Sequence, residues 1–295
     1  MANHGFDLIV LSLNRYIKSK CMKKLFVLSI LLIPILIQAQ RKPKIKGSRV
    51  VTEVKGELPA YNAISLVDPL DITLKKSFGP GYSLVADDNL VDILKFEVVD
   101  STLVISSYYD IRSKKQLEIT VEYTQLKAIS LKAGSITGMD VIESDELFVD
   151  GFNNSRLDLR ASGGVMDLNL EDNSGGNFSV DMDSLNMSLG SRAQASVYSV
   201  GETAQIDLED QASLTLEGSS NKIGMMMQGS SKYRGETMEV GDMSLEMQHS
   251  PSAQVQAYGE LELSLKGSSR VYLYGTPSLV IKEFLDTSQL IKRQQ

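Results

Sequence analysis

The sequence predicts an all-β protein whose main part is a β-solenoid, a rod of stacked coils of about 20 residues each. Runs such as LELSLKG, residues 261–267, alternate apolar and polar side chains with a period of two, as half-buried strands do. Short corners rich in Gly, Asn, Asp and Ser separate these runs, and from residue 134 onward they recur every 17 to 21 residues. Nothing between the corners is long enough for a helix, which disfavours a leucine-rich repeat. The corner residues are Gly134, Asn153, Asn173, Gly190, Asp210, Gly229, Ser250 and Gly267.

An antiparallel sandwich or barrel of hairpins is the alternative fold, because its turns follow one another about every 8 to 12 residues. Such a fold has no need to keep one register of about 20 residues through successive corners. Proline is also scarce here, since only Pro251 and Pro277 occur beyond residue 134. The regular spacing therefore favours the solenoid.

Two segments at the start of the sequence are expected to be absent from the folded protein. Residues 22–39, MKKLFVLSILLIPILIQA, have a basic start, an apolar core and a small residue at the end, which is the layout of a secretory signal peptide. Residues 1–21 are interpreted as an upstream extension of the reading frame. The apolar core is shorter than the roughly 20 residues that a transmembrane helix needs, although a retained anchor is the alternative. We therefore expect export to the cell surface, the extracellular space or the periplasm, without a stable membrane span after cleavage.

The next segment, residues 47–132, is predicted to be a β-rich cap at the amino-terminal end of the rod. It holds strand patterns such as LDITLKK (70–76) and LEITVEY (117–123), and one helical turn is expected over residues 89–95. Solenoids need caps because an open coil end is an exposed sheet edge. Residues 133–290 are predicted to form the repeats, with a carboxy-terminal strand that closes the other end.

The charge balance excludes one class of partner. The chain has 37 acidic and 30 basic side chains and a formal net charge of −7, whereas a nucleic-acid-binding protein needs a basic footprint. The single cysteine, Cys21, precedes the signal core, so the exported fold is predicted to have no disulfides. The sequence does not specify the oligomeric state.

Residues for catalysis or metal binding are sparse. Beyond the signal peptide the chain has one histidine, His249, and no G-x-S-x-G motif, so a nucleophilic hydrolase is disfavoured. A zinc site needs cysteines or several histidines. Asp181 and Asp183 are interpreted as solvated strand acids, because the repeat of calcium-binding β-rolls is absent. We therefore expect no catalytic residue, no metal and no cofactor; the alternatives are a polysaccharide-active β-helix enzyme and a periplasmic structural or envelope-stress protein.

Four tyrosines are the candidate binding residues. Tyr198, Tyr258, Tyr272 and Tyr274 fall just before or within the second turn of their repeats and are predicted to face outward. Aromatic faces beside hydroxyl and amide groups suit a sugar ring or a protein surface, although tyrosine is also a good strand residue. The expected partner is therefore a glycan or a surface protein.

Four segments carry a resemblance to a known family. In this order, the following segments resemble the secreted head-GIN-domain proteins of Gram-negative bacteria: PLDITLKKS (69–77), ADDNLVDILKFEVVDSTLVIS (86–106), LEITVEYTQLKAISLKAGS (117–135) and GSSRVYLYGTPSL (267–279). That family is known as auto-transporter adhesins and is otherwise a domain of unknown function. The resemblance covers about residues 50–290 and implies a right-handed parallel β-helix, export and an adhesive role at the surface. It implies no catalytic residues.

Overall fold

The computed structural model describes residues 42–294, so the predicted extension and signal peptide lie outside the described residues. Ile45–Gln295 form one contact unit, and of the other unit, Met1–Lys44, only residues 42–44 are described. Of the described residues, 69% are in strands and 2% in helix. Within the described range no helix has the length and apolar character to span a bilayer.

The elements follow one another as short strands, then long bent strands, then short strands. The first group is β1 (Lys44–Lys46), β2 (Val51–Glu57), β3 (Ala63–Leu66), β4 (Asp71–Lys76), β5 (Gly81–Asp87), α1 (Asp88–Val91), β6 (Leu94–Val99), β7 (Thr102–Ser107), β8 (Asp110–Ser113), β9 (Leu117–Tyr123) and β10 (Ala128–Leu131). The long strands are β11 (Ser135–Gly151), β12 (Arg156–Leu170), β13 (Gly175–Leu189), β14 (Gln194–Leu208), β15 (Ser213–Met227) and β16 (Lys232–Met247). The last group is β17 (Ser252–Ala257), β18 (Glu260–Leu265), β19 (Arg270–Tyr274), β20 (Ser278–Phe284) and β21 (Gln289–Lys292).

Each long strand contributes to two parallel ladders. β12 is typical: its first half pairs with the first half of β13, the chain bends at Gly163, and its second half pairs with the second half of β13. We call the ladder of the first halves, with β4, β9, β17, β19 and β21, the first sheet. The second halves, with β3, β7, β10, β18 and β20, form the second sheet. The prediction of a solenoid is confirmed: about 9 turns of about 19 residues stack in parallel.

Alternation places one apolar column after another between the two sheets. In β12 the buried residues are Leu157, Leu159 and Ala161 on the first sheet and Met166, Leu168 and Leu170 on the second. Their partners in the neighbouring coils are buried in the same way, so one apolar core runs along the stack. Burial of apolar surface between successive coils stabilises each of them, because no coil can bury its apolar residues alone.

The corners between coils depend on residues in the left-handed backbone region. From the first corner to the last these are Gly134, Asn153, Asp172, Ser191, Asp210, Gly229, His249, Gly267 and Asp286. Their spacing of 18 to 20 residues is more regular than the sequence indicated. Three predicted corner residues, Asn173, Gly190 and Ser250, lie one position away from the left-handed residue. Asp, Ser and His also take this conformation, because corner hydrogen bonds hold the backbone; Ser268 N, for example, donates to His249 O at 2.6 Å.

The amino-terminal end of the stack is covered. β5 pairs antiparallel with β9 and with β2, and β6 pairs antiparallel with β7, so both sheets gain strands beyond the parallel ladder. Helix α1 is shorter than the predicted turn, and its Leu90 is fully buried. The rings of Tyr82 and Phe96 stack with centroids 4.3 Å apart. The parallel ladder itself crosses the predicted boundary at residue 133 without a break, because β10 pairs with both β3 and β11.

Candidate functional site

The outward side chains form columns along the two sheets. Parallel pairing in constant register places residues of successive coils beside one another, about 4.8 Å apart. Two such columns on the outer face of the first sheet consist mainly of polar residues. One runs Arg156, Gly175, Gln194, Ser213, Lys232, and the other runs Asp158, Asn177, Ser196, Thr215, Arg234.

These two columns enclose a shallow groove of about 330 Å³. Its lining is polar apart from Ala195, and it comprises Arg156, Gly175, Gly176, Asn177, Gln194, Ala195, Ser196, Ser213, Thr215 and Arg234. The depression lies where Gly175 replaces the outward side chain that neighbouring coils carry, whereas Gly176 lies in the inward column of Leu157 and Ala195. A Cβ on Gly175 would lie 2.2 Å from Gln194 O, and one on Gly176 would lie 2.0 Å from Leu157 O, so the coils approach closely here.

A guanidinium group lies at each end of the groove. Arg156 Nη1 donates to Ser155 O at 2.9 Å and to Asn173 O at 2.6 Å, which fixes the orientation of this side chain. Arg234 is exposed and has no hydrogen bond or ion pair to any residue between 42 and 294. The two arginines are four strands apart, or about 19 Å. Guanidinium groups bind carboxylates and phosphates through two parallel hydrogen bonds, so this spacing suits an extended anionic ligand.

The outer face of the second sheet has the opposite charge. Its outward columns carry Glu146, Asp150, Asp167, Asp207, Asp242, Glu246, Glu260, Glu262 and Glu283. Lys222 lies among them, and Lys282 pairs with Glu262 at 3.4 Å. The outward columns of the first sheet are mixed: they carry the basic residues Arg156, Arg160, Lys232, Arg234 and Arg270 and the acidic residues Asp71, Asp158, Asp181 and Glu217. The second sheet therefore repels an anionic ligand more strongly than the first sheet does.

A larger open depression of about 600 Å³ lies beside β2 and β5. Lys55 and Glu122 line it, but each has an ionic partner of its own. Lys55 Nζ lies 2.9 Å from Glu53 Oε1, and Glu122 Oε1 lies 3.5 Å from Lys75 Nζ. Glu57 also lines the depression, so its one positive charge is paired and its lining is acidic, which makes it a weaker candidate for an anionic ligand than the groove.

The structure brings only part of the predicted tyrosine set together. Tyr272 and Tyr274 lie two residues apart on the outer face of β19, and the Arg293 guanidinium lies 5.1 Å from the Tyr272 ring centroid. Tyr198 is 53% exposed on the same sheet but four strands, or about 19 Å, from Tyr274. Tyr258 is equally exposed and lies in the turn after β17, where its hydroxyl accepts a hydrogen bond from Gln256 Nε2. A role of these tyrosines in binding stays a prediction.

The groove was not predicted from the sequence, although two signals for it are present. One is the glycine pair at a strand start, where the next coil has Gln194 and Ala195. The other is the shared column of Arg156 and Lys232, which becomes visible only with the register of 19 residues. His249, the histidine considered for catalysis, is an exposed corner residue. Between residues 42 and 294, no three His, Cys, Asp or Glu side chains are clustered as metal ligands.

The structure is a β-solenoid with one acidic outer face and one outer face of mixed charge. Residues 60–277 match the family described as "Putative auto-transporter adhesin, head GIN domain", and the chain belongs to this family, as its sequence segments indicated. No curated protein sequence matches the chain.

Solved structures share the fold at low sequence identity. A "putative adhesin" from Parabacteroides merdae is 14% identical, with a TM-score of 0.61 over 85% of this chain and 99% of the other. A "putative lipid binding protein" from Parabacteroides distasonis is 18% identical, with a TM-score of 0.60 over 85% and 99%. A "putative adhesin" from the same species is 17% identical, with a TM-score of 0.59 over 85% and 100%. At these identities the likeness shows a common fold alone.

Proposed function

We propose that the protein is an exported, non-enzymatic binding module of the cell envelope that holds an anionic glycan along the outer face of the first sheet. The observation that carries this proposal is the groove between Arg156 and Arg234. It offers two guanidinium groups about four strands apart and neutral hydrogen-bonding side chains between them. Ser196, Ser213 and Thr215 supply hydroxyl groups that suit sugar hydroxyls.

The chemistry of the groove supports binding rather than turnover. Glycoside hydrolysis uses two carboxyl groups on either side of the scissile bond. The residues that line the groove include no Asp or Glu, and Asp158 beside Asn177 is the one carboxylate in the two columns, which does not supply the required pair. Membership in an adhesin family points in the same direction.

The test is binding of polygalacturonate, an acidic polysaccharide, with neutral dextran as the comparison. We expect polygalacturonate to bind with an affinity that falls as salt rises, and dextran not to bind. Arg234→Gln should weaken binding about 10-fold or more, because a charge-assisted hydrogen bond contributes about 1.5–3 kcal/mol. Ser196→Trp should block the groove without a change of charge.

Lys222→Gln is the matched control. It removes one exposed positive charge from the second sheet and leaves the first sheet unchanged. Equal losses for Arg234→Gln and Lys222→Gln would mean that only net charge matters, which contradicts a site in the groove. Shortening of the polysaccharide during incubation would contradict a non-enzymatic role.

The location is tested separately by treating intact cells with an external protease. We expect cleavage of this protein while a periplasmic control protein survives. Survival until the outer membrane is opened would contradict a surface role and favour a periplasmic one.

A further inference from the structure

The carboxy-terminal end of the solenoid exposes its own core. In the last coil Leu279, Ile281 and Phe284 continue three inward columns, opposite Leu261, Leu263 and Leu265. These three partners are fully buried, whereas Leu279, Ile281 and Phe284 are 44%, 52% and 44% exposed. The three side chains point into the core, but no further coil within residues 42–294 covers them.

The same end carries two free sheet edges. β20 pairs with β18 in the second sheet and β21 pairs with β19 in the first, and each has a neighbour on one side only in the described chain. Their outer N–H and C=O groups form a template on which another strand can pair. The two edges lie about 10 Å apart, the usual distance between packed sheets, with the exposed apolar side chains between them.

The opposite end shows how this chain covers an end when it does so. There, β5 and β6 extend the sheets with antiparallel strands, and Leu90, Ile93 and Leu94 are at most 9% exposed. At the carboxy-terminal end, the described residues up to 294 supply neither antiparallel strands nor a buried cover. Half-exposed Leu285 adds to its apolar surface.

We propose that this open end binds the same end of a second copy of the chain, so that both sheets continue across a two-fold axis. A second copy fits because it offers two edges at the same separation, with the same twist and an equal apolar core between them. A two-fold axis perpendicular to the rod places strands antiparallel to their partners, which is a regular pairing geometry. The interface would be formed by the terminal coil, residues 278–294, and by the edge of the preceding coil. Together they supply about the 20 to 30 residues per side of a standard interface.

The charges at this end are self-complementary. Lys282 and Glu283 are adjacent on β20, so antiparallel self-pairing places the lysine of one copy beside the glutamate of the other. Within one chain they are held from the coil below, Lys282 by Glu262 at 3.4 Å and Glu283 by Lys266 at 2.7 Å. The two charges cancel on β20, whereas Lys292 and Arg293 at the end of β21 are both positive.

The geometry also fixes the stoichiometry. Stacking of a carboxy-terminal end on an amino-terminal end would build a filament, but the amino-terminal end is covered and offers no comparable pair of parallel edges. The contact between two open ends uses both of them and closes the assembly. The proposed assembly is therefore a dimer, and it leaves the lateral groove of each copy accessible.

The experiment measures the mass of the purified mature chain in solution by light scattering. We expect twice the monomer mass for the unmodified chain and the monomer mass for Ile281→Lys, with the same circular dichroism spectrum. Phe78→Lys is the matched control, since Phe78 is fully exposed on a loop far from this end in sequence, and it should remain dimeric. A monomeric unmodified chain at all concentrations, or a dimer that survives Ile281→Lys, would overturn the proposal.

A second measurement covers the case in which Ile281→Lys does not fold. The only cysteine of the sequence is Cys21, so in a chain without it a single introduced cysteine reports on proximity. Lys282→Cys should form a disulfide-linked dimer on mild oxidation, and Lys222→Cys on the second sheet should not. Equal cross-linking of the two variants, or none, would contradict pairing of the carboxy-terminal ends. Capture of Lys282→Cys monomers by phosphatidylcholine vesicles would assign the apolar end to a lipid surface and likewise overturn it.

Discussion

A column of small residues inside the corners gives the sharpest stability test. Ser155, Ser174, Ala193, Ala212 and Ser231 occupy equivalent positions in successive coils, and each is at most 1% exposed. Ser231 Oγ is buried and has no hydrogen-bond partner. Ser174 Oγ, by contrast, donates to Gly151 O at 2.9 Å. The same substitution to alanine should therefore have opposite effects at these two sites.

The magnitude follows from the cost of an unpaired hydroxyl. A buried polar group without a partner costs about 1–3 kcal/mol, and a typical hydrogen bond contributes about 0.5–1.5 kcal/mol. Ala193 and Ala212 already occupy this column, so a methyl group fits it without rearrangement. We expect Ser231→Ala to raise the free energy of unfolding by about 1 kcal/mol and Ser174→Ala to lower it by about 1 kcal/mol. For a chain of this size, each corresponds to a shift of about 2–4 °C in the melting temperature.

The assay is urea unfolding followed by circular dichroism, with equal slopes required of all variants because a repeat array can lose two-state behaviour. Errors in extrapolating the free energy of unfolding to zero urea affect both serine variants equally, so they cancel when the two variants are compared. A loss of stability for Ser231→Ala equal to that for Ser174→Ala would refute the reasoning, because it would show that the Ser231 hydroxyl is satisfied.

Three further perturbations test a corner, the cap and a buried phenol. Gly229→Ala should lower the free energy of unfolding in urea by about 1–2 kcal/mol. The φ angle of Gly229 is 71°, and a new Cβ would lie 2.7 Å from a carbonyl oxygen of the preceding corner. Gly79→Ala is the control and should leave the stability unchanged, since no atom lies within 4 Å of the new Cβ. Backbone N–H groups, above all that of Lys115, lower the pKa of Asp87 in the folded protein. Ionised Asp87 therefore adds to the free energy of unfolding above the carboxyl's unfolded pKa, and this stabilisation is lost as pH falls through the folded pKa. Asp87→Asn should make the free energy of unfolding less dependent on pH in the acid range. Burial raises the pKa of Tyr123 to about 12. The neutral phenol therefore stabilises the fold fully below the unfolded pKa of about 10, and this stabilisation is lost as pH rises through the folded pKa. Tyrosinate absorbance should show that Tyr123 ionises only at about pH 12 or on unfolding.

The elements of the fold were predictable because they depend on local pattern. LELSLKG became β18, with Leu261, Leu263 and Leu265 all fully buried, as the alternation indicated. The corners were found to within one residue. The remaining error at positions such as Ser250 arises because the left-handed residue is chosen by hydrogen bonds between coils, not by the local preference for glycine.

The groove was not predictable to the same degree, since it depends on which residues become neighbours 19 positions apart. An error of one residue at a corner moves a side chain from the outer face to the core, because the side-chain period of a strand is two. The register places Arg156 and Arg270 in one column with Lys232, and no local sequence pattern marks these three residues as members of one column. The predicted closing segment does form strands, β20 and β21, but which neighbours cover them does not follow from local pattern.

The glycine pair shows how stability and binding are linked in this fold. Glycine within a strand costs about 0.5–1 kcal/mol relative to alanine, so two in succession weaken the coil that contains them. Their near contacts with Gln194 O and Leu157 O mean that any side chain would separate the coils, so the pair is first a packing requirement. The depression on the outer face is a consequence of that packing, bounded by whichever side chains the adjacent coils present. Replacement of Gly175 would therefore disrupt the corner and the groove together. Ser196 is exposed and lines the groove, so Ser196→Trp fills the groove without disturbing the packing between coils. Of these two changes, only Ser196→Trp tests binding without also changing stability.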